Sequence, residues 1–298
     1  MVILRLRGGI GNQLFQYAAA RSLAWHHSVP LKIDSYYYTR NPNRTLDLAK
    51  FNTDFALASQ QEINQLTSRS KVIRYLHKKT YFKYSTKSFG QPYFHFYPDF
   101  FSIKPPVYLS GYFQSERFFE PYTNQIRQHF TPVDRPTQKN SEVLDEMRRC
   151  NAVALHVRQG DYSQANYEGF FGLLDPEYYQ KAIQYIEERV ENPNFFIFSD
   201  NIAWCRKQFA ALKHEHFIDH NRDEESYWDM MLMAACQHNI TANSTFSWWG
   251  AWLNNRPDKL VITPANWFQN TYFKGKNPVY PSRHYNLQDQ LPANWLRL

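Results

Sequence analysis

Hydrophobic positions along this chain follow two alternating periods. A short apolar run at 2–6 (VILRL) reads as a strand, and a glycine turn follows at 7–12. Leu14, Ala18, Ser22 and Trp25 then recur at helical spacing, which predicts a helix over 13–26. A second strand at 29–34 completes the opening of an α/β unit. Residues 35–115 are rich in Tyr and Phe, and their strands cannot be ordered from the pattern. A helix is predicted there at 59–79 and a strand at 105–112 (PPVYLSGY), followed by a helix at about 116–130.

The second half is more regular. Short apolar runs at 152–157, 195–199, 216–218, 240–242 and 260–263 alternate with helical patterns at 176–190, 202–212, 224–237 and 246–254. Strands that are apolar throughout and separated by helices predict a parallel sheet covered on both faces. Between the halves, residues 131–139 (TPVDRPTQK) carry two prolines and little that is apolar. The expected architecture is therefore two α/β lobes, 1–135 and 136–298, with a cleft between them.

Composition narrows the choices. A 298-residue chain with 43% hydrophobic and 20% charged residues can bury a core. Its 17% aromatic content suits either core packing or stacking on sugars and bases. The net charge of +7 favours anionic partners, but Lys and Arg are scattered rather than clustered, which argues against nucleic acid. Cys150, Cys205 and Cys236 lack metal-ligand spacing and read as reduced thiols. No apolar stretch of about 18 residues is present, and the N-terminal run is short and interrupted by Arg5 and Arg7. The expectation is a cytoplasmic protein without a membrane span, with peripheral contact at the inner membrane left open and oligomeric state unread.

Candidate chemistry collects where parallel sheets bind ligands, past the carboxyl ends of their strands. Successive strands of the second half are followed by His156, Arg158 and Asp161; by Ser199, Asp200 and Asn201; by Asp219, His220 and Asn221; and by Asn243, Ser244 and Thr245. In LHVRQGDY, Arg158 can fork across diphosphate oxygens with Asp161 holding it, or the pair can tie a loop. Asp200 can equally cap the helix at 202. In ANSTFSWWGAWL, a Ser/Thr turn opening a helix presents backbone N–H groups to a phosphate, while Ser244 or Thr245 can also be a plain N-cap. GGIGNQLFQYA is a poor dinucleotide fingerprint, because Leu14 replaces the third glycine. Asp34 after the next strand keeps a Rossmann-type oxidoreductase as an alternative, and a non-catalytic glycan-binding protein is another. No metal-ligand pattern and no D-x-D triplet occur, so counter-charge for a diphosphate falls to Arg158 and the helix at Thr245.

Three segments in order, GGIGNQLFQYAAARSLA, HVRQGDY and ANSTFSWWGAWLN, together with FSDN at 198–201, resemble the bacterial-type α-1,2-fucosyltransferases of glycosyltransferase family 11. The resemblance spans nearly the whole chain. It implies a GT-B-like fold of two facing Rossmann-like lobes, the first on the acceptor side and the second binding the nucleotide. It implies inverting, metal-independent transfer of L-fucose from GDP-β-L-fucose to the 2-hydroxyl of a terminal galactose. A galactoside 2-α-L-fucosyltransferase of this kind would accept lactose, N-acetyllactosamine or an O-antigen glycan. By resemblance His156 and Asp200 lie near guanine, and Arg158 neutralises the departing diphosphate. Asn243, Ser244, Thr245 and Phe246 hold the donor at the helix start, and Gly9, Gly11 and Asn12 face the fucose or diphosphate. For the acceptor proton, Asp161, Glu168 and Asp175 are candidate bases by their nearness in sequence, Asp161 being taken with Arg158 as the catalytic pair, and the proton can instead pass late to the leaving phosphate. Two departures stand out: Gln159 replaces the family's second arginine, and Phe171 stands where relatives carry a histidine before Gly172.

Overall fold

A computed structural model describes residues 1–67, 87–91, 94–159, 172–268 and 289–298. The chain divides into two compact units. The first holds Met1–Val133 with Asn277–Ala293, of which 289–293 are described, and the second holds Asp134–Lys276 with Asn294–Leu298. The chain thus re-enters the first unit near its end and finishes in the second, a return that a single break at 135/136 does not include.

In the first unit, strands β1 (Val2–Arg5), β2 (Leu31–Asp34), β3 (Ala56–Leu57), β4 (Ser88–Gly90) and β5 (Val107–Ser110) form a parallel sheet in the order β3-β2-β1-β5-β4. Helix α1 (Ile10–His26) joins β1 to β2 and is enclosed on nearly every side, with Leu14, Phe15, Tyr17, Ala18, Ala19, Ala20, Leu23 and Ala24 all at 1% exposure or less. It begins three residues earlier than the apolar spacing predicts. Gly8 turns the chain at φ 85 and Gly9 takes the N-cap position, so Gly11 and Asn12 already belong to the first helical turn. Short helices α2 (Tyr36–Thr39) and α3 (Gln60–Leu66) follow; the remainder of the helix predicted at 59–79 lies largely outside the described residues. The helix predicted at 116–130 is instead two 3-10 turns, Glu116–Phe118 and Glu120–Tyr122, before α4 (Thr123–His129). Pro121 has no N–H to donate and interrupts the run.

The second unit opens on a helix that the hydrophobic pattern did not reveal, α5 (Gln138–Arg148), capped by the Thr137 hydroxyl. Six parallel strands follow: β6 (Asn151–Val157), β7 (Pro193–Ser199), β8 (Glu215–Ile218), β9 (His238–Ile240), β10 (Val261–Thr263) and β11 (Leu296–Arg297). Their order is β11-β10-β9-β6-β7-β8. Helices α6 (Pro176–Glu187), α7 (Ile202–Gln208), α8 (Tyr227–Ala235) and α9 (Thr245–Leu253) complete the unit. Successive residues of a strand face opposite sides, and here both sides are dry. Val153, Leu155, Val157, Phe195 and Ile197 pack with Tyr179, Ile183 and Ile186 of α6. Ala152, Ala154, Phe196 and Phe198 pack with Leu232 and Met233 of α8 on the other side. Burial of each large side chain contributes roughly 1.5–3 kcal/mol, so this two-sided packing dominates the stability of the sheet.

The α/β class read from the sequence is borne out in both units. No helix among the described residues is long and apolar enough to cross a membrane.

Helices α8 and α9 meet where Gly250 faces Met233, and a Cβ there would lie 2.8 Å from the Met233 Cβ. Gly250→Ala is expected to lower stability by about 1–3 kcal/mol through overpacking, read as a lower urea midpoint at unchanged slope. Met233→Gly removes the clashing Cβ, so Gly250→Ala should cost less in a Met233→Gly background than in the native chain.

Candidate functional site

The order of the second sheet places its switch point between β6 and β9. From β6 the chain runs outward to β7 and β8, then crosses back to β9 on the other flank. Ligands of open parallel sheets bind in the crevice beyond the carboxyl ends of such a pair. His156 and Arg158 stand at the end of β6, and Asn243–Phe246 lie between β9 and the first turn of α9. Chain topology therefore brings together two segments some 87 residues apart, counted from Arg158 to Thr245.

Asp200 does not cap the next helix. That task falls to Asn201, whose side chain accepts the Trp204 N–H at 3.1 Å. Asp200 instead ties the end of β7 to the end of β6: one carboxylate oxygen accepts the Gln159 N–H at 2.9 Å, and the other lies 3.1 Å from the Arg158 guanidinium. The two side chains are 27% and 22% exposed, so the cation is braced yet reachable by solvent. Asp161 and Glu168 lie outside the described residues, as does Phe171. Asp175, another candidate base, is the N-cap of α6 and accepts the Glu177 N–H at 2.9 Å.

His156 is 4% exposed and lies against Phe246, with ring centroids 5.8 Å apart. Its Nδ1 has no hydrogen-bond partner among the described residues. Burial, helped by the neighbouring Arg158 guanidinium, pulls the imidazole down to about 3, so it is uncharged at neutral pH. It can accept or donate one hydrogen bond to a bound group but adds no positive charge.

The α9 start is a true N-terminus. Ser244 caps it, its hydroxyl accepting the Phe246 N–H at 3.3 Å. The segment 241–244 and the helix from Ser247 to Trp252 are buried, while Thr245 and Phe246 are partly exposed. The positive end of the helix is thus open at those two residues alone within this stretch. Asn243 serves the scaffold: its Nδ2 donates to the Gly172 and Trp267 carbonyls at 3.2 and 3.3 Å.

The third strand end behaves differently from the other three. Asp219 pairs with Arg206 at the surface at 2.9 Å. Asn221 and Asn140 exchange two 2.9 Å amide bonds, His220 lies 2.8 Å from the same Asn140 oxygen, and Asn221 also donates to Asp229 at 2.8 Å. This network joins α5, the loop after β8 and α8; it is architecture rather than a ligand site. Burial pushes the Asp229 carboxyl up to about 7. Among the described residues no three His, Cys, Asp or Glu side chains gather as a metal-ligand set.

In the first unit the switch point lies between β1 and β5. Gly8, Gly9, Gly11 and Asn12 follow β1 there. The Gly8 carbonyl accepts from the Tyr38 hydroxyl at 3.1 Å and from Gln13 Nε2 at 3.2 Å, and a Cβ on Gly9 would stand 3.4 Å from the Arg44 guanidinium. Sequence reasoning missed the buried glutamines that fix this turn. Gln13 bonds Thr45 O, Asp47 Oδ2 and Asp47 N–H, and Gln16 exchanges two bonds with the Arg7 backbone. Their signal was available, since both sit on a helix otherwise lined with Ala, Leu and aromatic residues.

A family model described as Glycosyl transferase family 11 matches residues 1–285. The chain is 32% identical over 317 residues to Alpha-1,2-colitosyltransferase of Escherichia coli, covering 100% of this chain and 99% of that protein. It is 33% identical over 286 residues to O-antigen biosynthesis glycosyltransferase WbnK of Escherichia coli, covering 88% and 93%. Over 158 residues it is 34% identical to Galactoside alpha-(1,2)-fucosyltransferase 1 of Saimiri sciureus, covering 50% of this chain and 43% of that one. An arginine-to-lysine mutant of Arabidopsis thaliana FUT1 in complex with GDP shares the fold, with TM-score 0.51 at 13% identity, covering 89% of this chain and 71% of that one.

The Asp229 network generates a pH prediction. Its folded value near 7 lies above the ordinary 3.8, so the folded chain binds this proton more tightly than the unfolded chain. Stability from this group is full below about pH 4 and is lost as pH rises to about 7. Asp229→Asn keeps an acceptor for Asn221 and removes the titration. The variant should match the native chain near pH 4 and exceed it by on the order of 2–4 kcal/mol at pH 8, in urea denaturation across pH.

Proposed function

Because the chain belongs to glycosyl transferase family 11, we propose that it moves L-fucose from GDP-β-L-fucose to the 2-hydroxyl of a terminal galactose, with inversion. The observation that carries this reading is the meeting of Arg158, braced by Asp200, with the open start of α9 at one switch point. That is the equipment for binding a diphosphate and for neutralising it as it leaves. The α-1,2 linkage is supported by two relatives whose names specify it for different sugars. An O-antigen glycan as acceptor is supported by the likeness to a glycosyltransferase of that pathway.

In this proposal the acceptor oxygen attacks the anomeric carbon as the bond to the β-phosphate breaks. Negative charge grows on the phosphate, where a fixed guanidinium and the positive start of α9 at Thr245 stabilise the transition state more than the ground state. Asp200 keeps Arg158 in place without a rearrangement during the reaction. The uncharged His156 offers a hydrogen bond to the guanine, and Gly9, Gly11 and Asn12 take part in holding the sugar or diphosphate. Asp161 is the candidate for taking the acceptor proton in this scheme. No divalent ion is required in this scheme, since Arg158 and the helix start supply the counter-charge.

Colitose is L-fucose lacking the 3-hydroxyl, and the full-length likeness to a colitosyltransferase makes GDP-colitose the competing donor. The two are separated by measuring GDP release with each sugar nucleotide, with and without lactose or N-acetyllactosamine, in excess EDTA. Lactose-dependent release from GDP-fucose is the expected result; release only from GDP-colitose transfers the assignment to that donor, and release abolished by EDTA overturns the metal-free scheme. Arg158→Ala should fold normally and lose about 10²–10³-fold in kcat, whereas near-native turnover in a folded variant would remove Arg158 from the mechanism.

A further inference from the structure

The first unit contains a line of three amide side chains, of which the reading above uses only Asn12. Gln290 Nε2 donates to Gln114 Oε1 at 3.3 Å, and Gln114 Nε2 donates to Asn12 Oδ1 at 2.7 Å. Gln114 and Gln290 are 7% and 2% exposed. Asn12 follows β1 and Gln114 follows β5, so the second of these bonds spans the switch point of the first sheet.

The segment carrying Gln114 is shaped for this contact. A Cβ on Gly111 would come within 2.5 Å of the Gln91 Cβ, so only glycine lets Gln91 approach. Gln91 Oε1 then accepts from both the Tyr112 and Phe113 N–H groups at 2.9 Å. Phe113 is held at φ 51, a left-handed conformation that a phenylalanine rarely adopts. Such strain persists only where the surroundings over-determine it, and it concentrates at functional sites. Gln290 arrives with the returning C-terminal stretch, whose Asp289 accepts the Phe96 N–H at 2.9 Å.

A carboxamide donates at one end and accepts at the other, so each bond of the line orients the next group. Gln290 donates, Gln114 accepts with its oxygen and must then donate, and Asn12 must accept with Oδ1. The Asn12 NH₂ is thereby turned the other way, and its Nδ2 lies beside Gly8, 3.0 Å from where a Cβ on that glycine would stand.

We propose that Gln114 is a positioning residue for sugar transfer. It locks Asn12 with its N–H groups presented to a substrate oxygen, and Gln290 locks Gln114 in turn. This rests on the reading that Asn12 belongs to the substrate site. The substrate oxygen is a sugar hydroxyl or a diphosphate oxygen, either of which accepts these donors.

The test is a double-mutant cycle on the full chain with the sugar nucleotide that the native chain uses, reading kcat, KM and thermal midpoint. Gln114→Glu keeps the shape but, when ionised, cannot donate; it should lower kcat/KM about tenfold or more, with a lower midpoint from the buried charge. Asn12→Ala should cost at least as much, and adding Gln114→Glu to it should cost nothing further. A full additional loss in that double variant would show that Gln114 acts independently of Asn12 and overturn the proposal. Native transfer by Asn12→Ala would remove Asn12 from the site and the proposal with it, while an inactive native chain would overturn both the proposal and the functional reading. Should Gln114→Glu misfold, Gln114→Met makes the same comparison without a buried charge. Calorimetry with GDP alone separates the two oxygens: weaker GDP binding by Asn12→Ala assigns the diphosphate, and unchanged GDP binding assigns the sugar.

Discussion

Every polar feature of this protein is constrained by the burial of its sheets on both faces. A strand such as β6, whose residues from Ala152 to Val157 are all buried, has no solvated side on which to carry chemistry. Functional groups are left with the strand ends, and chain order decides which ends are neighbours. At the switch points the chain leaves on opposite flanks, so the loops diverge and a concavity remains between them. The Arg158–Asp200 pair and the start of α9 stand at one such place, and Asn12 with Gln114 at the other.

The same burial dictates how the loops are held. A buried carbonyl or N–H without a partner costs about 1–3 kcal/mol, so turns enclosed by helices need side chains that supply both donor and acceptor. Carboxamides do this without carrying charge into a dry interior. Gln13 and Gln16 satisfy the glycine turn, Gln91 satisfies the backbone at Tyr112 and Phe113, and Asn243 ties Gly172 to Trp267. The Asn140–Asn221 pair does the same beneath α5 and α8. Where a carboxyl joins such a network, as Asp229 does, the desolvation of its charge appears as a raised proton affinity.

The sequence was most legible where periodicity and burial agree. Strands β6 and β7 carry the apolar runs Ala152–Leu155 and Phe195–Phe198, and their identification follows directly from a sheet covered on two sides. Helix α5 escaped because its pattern is dominated by Lys, Glu, Asp and Arg, with Met147 its one buried apolar residue. Strand β11 escaped because two residues carry no period at all. At the candidate site, residue types revealed that polar groups collect past the strands but not how they divide. Asp200 and Asn201 are adjacent and chemically alike, and only the backbone direction decides which caps a helix and which braces Arg158. Likewise nothing local distinguishes the Asp219–Asn221 segment, absorbed into structure, from Asn243–Thr245, left partly open.

The path of residues 289–298 bears on how the molecule is made. Asp289 and Gln290 bond to the first unit, and a few residues later Leu296 and Arg297 add the edge strand beside β10, with the Leu298 N–H donating to Thr263. On the ribosome these are made after every group they bind. Neither unit can finish its hydrogen bonding while that stretch is still in the exit tunnel. The first unit stays incompletely bonded until residues 289–290 emerge and the second until 296–297 do, which ties the completion of both units to one short stretch instead of the N-to-C succession open to separately closed domains.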